Sequence, residues 1–125
     1  MNKINVLLTD DHQLIIDGLK SLLKDQEDIN VSAEAHNGRE ALRILDFLPV
    51  DVVLMDIDMP VMNGIETLKE IKKQYPGVKV IILSMHNEAG MIKSLIDLGA
   101  NGYLLKSCSQ DEVVSAIRKV AAGQS

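Results

Sequence analysis

Hydrophobic positions along this chain switch back and forth between short unbroken runs and a helical spacing of three and four. The first run, Ile4 to Leu8, ends on Thr9, Asp10 and Asp11. Leu14, Ile15, Leu19, Leu22 and Leu23 then recur on one helical face, which predicts a helix that begins at Asp11 or His12 and runs to about Lys24. Ile29, Val31, Ala33 and Ala35 alternate with polar residues, the pattern of a half-exposed strand at a sheet edge. Asn37-Gly38 opens a second helix carrying Ala41, Leu42, Ile44, Leu45 and Leu48, stopped by Pro49. Val52 to Met55 is continuously apolar, as suits a strand buried on both faces, and it ends on Asp56. Pro60 and Gly64 break the chain into a loop before a third helix with Ile65, Leu68 and Ile71, closed by Pro76 and Gly77. Val78 to Leu83 forms a fourth strand ending on Ser84. A fourth helix opens at His86, carries Met91, Ile92, Leu95, Ile96 and Leu98, and closes at Gly99. Gly90 in its first turns costs about 1 kcal/mol relative to alanine, so this end is expected to fray. Gly102 to Leu105 forms a fifth strand ending on Lys106, and Val113, Val114, Ile117 and Val120 give a last helix one apolar face.

Five strand-helix units in strict alternation predict an α/β three-layer sandwich around a five-stranded parallel sheet, because right-handed crossovers place helices on both faces. The expected strand order is the flavodoxin-like 2-1-3-4-5, whose topological switch point lies between the carboxyl ends of the first and third strands. That order brings Asp10, Asp11 and Asp56 to one crevice and delivers Ser84 and Lys106 from the next two strands.

The chain has 125 residues and no low-complexity tract, which fits a single domain over 1–122 with 123–125 as the start of a linker or tail. A chain that stops just after its last helix is expected to be a piece of a longer protein. The formal net charge of -5, with one Phe, two Tyr and no Trp, excludes a basic groove or an array of stacking rings, so direct nucleic-acid contact is not expected. Cys108 is alone and reads as a small, partly buried apolar residue in a reducing compartment. No stretch is long enough for a signal core or a membrane span, and cytoplasmic location is expected.

Three carboxylates in one crevice repel each other by roughly 4 kcal/mol per pair at about 4 Å and an effective dielectric near 20. An oxygen-only, open site of this kind suits Mg²⁺, with Lys106 adding positive charge. A carboxylate so placed can attack a phosphoryl group to give an acyl phosphate, and the Ser84 hydroxyl can donate to a phosphoryl oxygen. Taken singly, each residue has a plainer role: Asp10 or Asp11 as a helix N-cap, Asp56 or Ser84 as a loop-capping group, Lys106 as a solvated charge.

The ordered set TDDH at 9–12, MDIDMPVMNG at 55–64, LSMH at 83–86 and ANGYLLK at 100–106 resembles the receiver domain of two-component response regulators over essentially the whole chain. LSMH and GYLLK resemble in particular the NarL/FixJ-like branch, whose receivers usually precede a LuxR-type helix-turn-helix domain. The resemblance implies that Asp56 accepts a phosphoryl group from a sensor histidine kinase. Asp10, Asp11, Asp56 and the backbone carbonyl of Asp58 would hold Mg²⁺, Lys106 would pair with the phosphoryl group, and Ser84 and Tyr103 would form the switch. It further implies a homodimer on phosphorylation, DNA contact only through an output domain that this chain does not contain, and no role as a conventional enzyme.

Two positions depart from the usual pattern. Met85 follows the switch hydroxyl where a small residue is common, and its side chain is expected to shield the site from water. Ser107 follows the lysine where proline is common, so a cis bond, costing about 3 kcal/mol without proline, is not expected there. Two other classes fit parts of the sequence. Asp56-Ile57-Asp58 resembles the DxD of haloacid-dehalogenase-like phosphatases, but it lies on the third strand and lacks the following threonine. A flavodoxin-like cofactor-binding module would need a Gly, Ser or Thr-rich loop where this chain has Asp10-Asp11-His12.

Overall fold

The computed structural model describes residues 3–123, so the part of the expected tail at Gln124 and Ser125 lies outside the described residues. Strands β1 (Ile4–Thr9), β2 (Ile29–Ala35), β3 (Val52–Met55), β4 (Lys79–Ser84) and β5 (Gly102–Leu105) alternate with helices α1 (Gln13–Leu23), α2 (Gly38–Leu45), α3 (Gly64–Gln74), α4 (Ala89–Asp97) and α5 (Gln110–Ala121). All neighbouring strands are parallel, in the order β2-β1-β3-β4-β5, as the alternation predicts.

Successive side chains of a strand point to opposite faces, and here both faces are covered. Val6, Leu8, Val52, Leu54, Ile81 and Leu83 pack against Ile16 and Leu23 of α1 and Val113 and Ile117 of α5. The intervening Leu7, Val53, Met55, Val80 and Ile82 pack with Ala41 of α2, Leu68 and Ile71 of α3, and Leu95 of α4. This two-sided burial explains why β3 and β4 read as unbroken apolar runs while β2, at the edge, alternates.

Three helix ends differ from the sequence expectation. Helix α1 starts at Gln13, with His12 as an N-cap whose side chain makes no capping bond. Helix α2 stops at Leu45, because the amides of Asp46, Phe47 and Leu48 fold back onto Leu42, Arg43 and Ile44 carbonyls in a closing turn, leaving Phe47 79% exposed. Helix α4 starts at Ala89, not at His86, since both backbone groups of His86 have partners elsewhere: its amide donates to Ser84 Oγ and its carbonyl accepts from the Tyr103 hydroxyl. Among the described residues there is no cis peptide, in keeping with Ser107 after Lys106. No helix among them is long and apolar enough to cross a membrane.

Candidate functional site

The carboxyl ends of β1, β3, β4 and β5 set the site. Asp10 and Asp11 follow β1, Asp56 follows β3, Ser84 closes β4 and Lys106 follows β5. The Asp56 amide donates to the Thr9 carbonyl at 3.0 Å, which extends the β1–β3 ladder and fixes where the carboxylate projects. Gly64 has to be glycine here, because a Cβ at that position would overlap the Asp56 carbonyl oxygen and the Ile57 backbone.

Asp10 and Asp56 are only 3% and 4% exposed, an unusual burial for two like charges. Lys106 compensates them: its Nζ lies 3.2 Å from Asp10 Oδ2 and 3.4 Å from Asp56 Oδ1. Burial, and then the Asp10 charge, push the Asp56 carboxyl above its ordinary pKa, while Lys106 and the Asp58 backbone amide pull it back without cancelling the rise. Burial alone would lower the Lys106 ammonium, but Asp56 and Asp10 together outweigh it and leave the group raised. Lys106 is therefore held charged between two carboxylates.

Asp11 completes the acidic group, and one ligand atom from each of Asp10, Asp11, His12 and Asp56 falls within 4.8 Å of every other. Asp11 Oδ1 is buried and has no hydrogen-bond partner; His12 Nδ1 is 3.2 Å away but misaligned. An orphaned buried carboxylate oxygen within such a cluster matches the donor set of a hard divalent cation.

On the other side, Ser84 is buried, and its Oγ accepts from the His86 amide at 3.0 Å. Its own hydroxyl hydrogen is left to donate elsewhere. The Tyr103 hydroxyl donates to the His86 carbonyl at 2.6 Å, tying β5 to the β4–α4 loop. Asp58 is 74% exposed in its side chain but not free: its Oδ2 lies 2.9 Å from His86 Nε2. That hydrogen bond raises the His86 pKa.

Met85 is 81% exposed and lines a cleft of about 590 Å³ that also takes in Asp11, His12, Leu14 and Lys106. Two further features were missed in the sequence. His12 joins the acidic cluster, a role to which the run Asp10-Asp11-His12 was the available signal. Val61, in the loop after β3, has φ 68, and the Met62 amide donates to the Pro60 carbonyl at 2.7 Å, a strained γ-turn. A β-branched residue gives no sequence signal for positive φ.

Two buried carboxylates, with a partly buried lysine between them, meet at the switch point of a five-stranded parallel sheet, the arrangement of a signalling domain of the flavodoxin-like fold. The chain matches the family model described as the response regulator receiver domain over residues 6–118, and it belongs to that family. It is 38% identical over 122 residues to the transcriptional regulatory protein DegU of Brevibacillus brevis, covering 98% of this chain and 52% of DegU. The signal receiver domain of the response regulator NarL from Mycobacterium tuberculosis superposes with TM-score 0.92 at 33% identity, covering 99% of this chain and all of that one. Salmonella typhimurium RcsB, a response regulator solved in a study of DNA interaction, superposes with TM-score 0.91 at 28% identity, covering 99% of this chain and 64% of RcsB. The chain spans about half the length of the curated relatives it matches, and the NarL-like branch expected from LSMH and GYLLK is the one these relatives represent. It is a signalling domain of two-component systems. Neither the phosphatase nor the flavodoxin-like alternative is favoured: the DxD follows β3, and the loop after β1 has no phosphate-binding glycine.

Proposed function

We propose that Asp56 is the phosphoacceptor of this receiver domain and that Lys106, Ser84 and the Asp10/Asp11 pair serve the transfer. The observation that carries this reading is the Lys106 ammonium held within 3.4 Å of two carboxylates that are almost fully buried. A carboxylate oxygen of Asp56 attacks phosphorus in line. The P–N bond of a phosphohistidine on a sensor kinase breaks, and the departing imidazole keeps the electron pair and takes a proton from solvent. The acyl phosphate that forms on Asp56 then presents its oxygens to the Lys106 ammonium and to the free hydrogen of the Ser84 hydroxyl. Asp10, Asp11 and Asp56, with the backbone carbonyl of Asp58, would hold Mg²⁺, and a bound Mg²⁺ would neutralise charge on the transferred oxygens.

Ser84 and Tyr103 are read as the switch because both already converge on His86. A phosphoryl group that draws the Ser84 hydroxyl toward Asp56 changes the loop on which Tyr103 is anchored, and only such differential contact can shift the population. Domain limits at 1–122, a homodimer on phosphorylation, a DNA-binding output domain beyond this chain and cytoplasmic location complete the proposal. They are supported by the family, by the transcriptional role in the DegU name and by the DNA interaction in the RcsB title.

Incubation with acetyl phosphate and Mg²⁺, followed by intact mass, tests the transfer. A single phosphoryl adduct, absent in Asp56→Asn and slowed in Asp11→Asn, is expected. Turnover of the acyl phosphate without any adduct would instead favour a phosphatase.

A further inference from the structure

We propose that the cleft beside Lys106 receives the acyl chain of a small-molecule acyl phosphate, so that this domain takes phosphoryl groups from donors with a longer apolar chain in preference to acetyl phosphate. This rests on the reading of Asp56 as the phosphoacceptor. At about 590 Å³ the cleft falls within the roughly 300–1,000 Å³ of small-ligand sites, and most of its lining is apolar. Leu14 and Ile15 reach it from the first turn of α1, and Met85 from the loop after β4. Leu14 is 85% and Met85 81% exposed, so two large apolar side chains from separate elements stand in water around one hollow. Neither serves the core, since both faces of the sheet are covered without them. A methionine also adapts its shape to apolar occupants of different length.

The cleft joins the phosphoryl site through Asp11 and Lys106, which make one end of it charged. Lys106 forms part of its wall while its Nζ stays 3.4 Å from Asp56 Oδ1. A charged end and an apolar remainder suit an amphiphile with an anionic head and an apolar tail. Asp56 is only 4% exposed, so it forms the floor of the crevice, and in-line attack sends the leaving group away from that floor toward the walls. An Asp56 oxygen forms the bond to phosphorus, the P–O bond to the acyl group breaks, and the carboxylate departs with the electron pair; no proton is needed. The chain of that departing carboxylate is what Leu14, Ile15 and Met85 would cover.

Adduct formation on the 125-residue chain with Mg²⁺ and either acetyl or butyryl phosphate, followed by intact mass over time, tests this. The two leaving carboxylates are of like basicity, so the ratio of second-order rate constants reads contact with the chain. Two more methylenes, at about 0.8 kcal/mol each when buried, favour butyryl phosphate by about fifteenfold at most and by about fourfold when half covered. A ratio of about four or more is expected, falling to about one in a variant with both Leu14→Ser and Met85→Ser. Both side chains are exposed, so that variant keeps the fold, which circular dichroism verifies. A ratio of about one in the unaltered chain overturns the proposal and leaves the cleft to a protein surface such as that of the sensor kinase. A preference that survives both substitutions overturns it as well. An adduct from neither donor overturns the reading of Asp56 along with it.

Discussion

At Asp56 the demands of chemistry and of stability oppose each other. Two carboxylates within 4.8 Å repel by at least about 3.5 kcal/mol at an effective dielectric near 20, and Lys106 removes only part of that. Because the Asp56 carboxyl lies above its ordinary pKa, the folded protein takes up a proton at a higher pH than the unfolded chain does. Its contribution to stability is therefore present at low pH and is lost as pH rises through the raised pKa, on the alkaline side of the usual carboxylate range. In metal-free buffer, Asp56→Asn is expected to raise stability at pH 7 by about 1–3 kcal/mol, the uncompensated share of that repulsion, and to flatten this pH dependence. Urea denaturation at a series of pH values checks both. Asp10, Asp56, Ser84 and Lys106 were legible in the sequence because each closes an apolar run, and the end of a parallel strand is where ligands bind. The orientation of His12 and the exposure of Met85 were not, since both depend on how α1 and the β4–α4 loop enter the site.

Among the elements, the loop after β3 stores strain close in sequence to Asp56. Val61 at φ 68 costs about 1–2 kcal/mol relative to a residue that tolerates this region. Val61→Asn is expected to stabilise the fold by about 1 kcal/mol, read as a shift in denaturation midpoint. Helix α4 is the least anchored helix by burial: Leu95 is its only buried residue, its N-cap Glu88 makes no side-chain capping bond, and a Cβ at Gly90 would meet open space. Gly90→Ala should add about 1 kcal/mol of helix stability and slow amide exchange through the first turns of α4. Faster exchange in the variant would contradict the expectation of a frayed start. The glycine was visible in the sequence, but the helix start was not, because Ser84 and Tyr103 take the His86 backbone from positions two residues before and seventeen residues after it. The end of α2 was hidden for another reason: Leu48 has the helical spacing, but the backbone turns at Asp46 before reaching it.

For the whole molecule, strand order followed from alternation and handedness alone, and alternating strand side chains divide the interior into two cores of comparable make-up. The route from Asp56 to a distant surface has no such signature, because it depends on a difference between two states. Beryllium fluoride, a phosphoryl mimic, is expected to change amide protection from Ser84 through Lys106 and to leave β1 and β3 unchanged. Unchanged protection over that segment with the mimic bound would mean that the signal leaves by another path. Phosphorylation by a phosphohistidine donor, followed by borohydride reduction and peptide mass mapping, is expected to convert Asp56 alone to homoserine. Homoserine at Asp10 or Asp11, or label retained as phosphohistidine on His12 or His86, would contradict it.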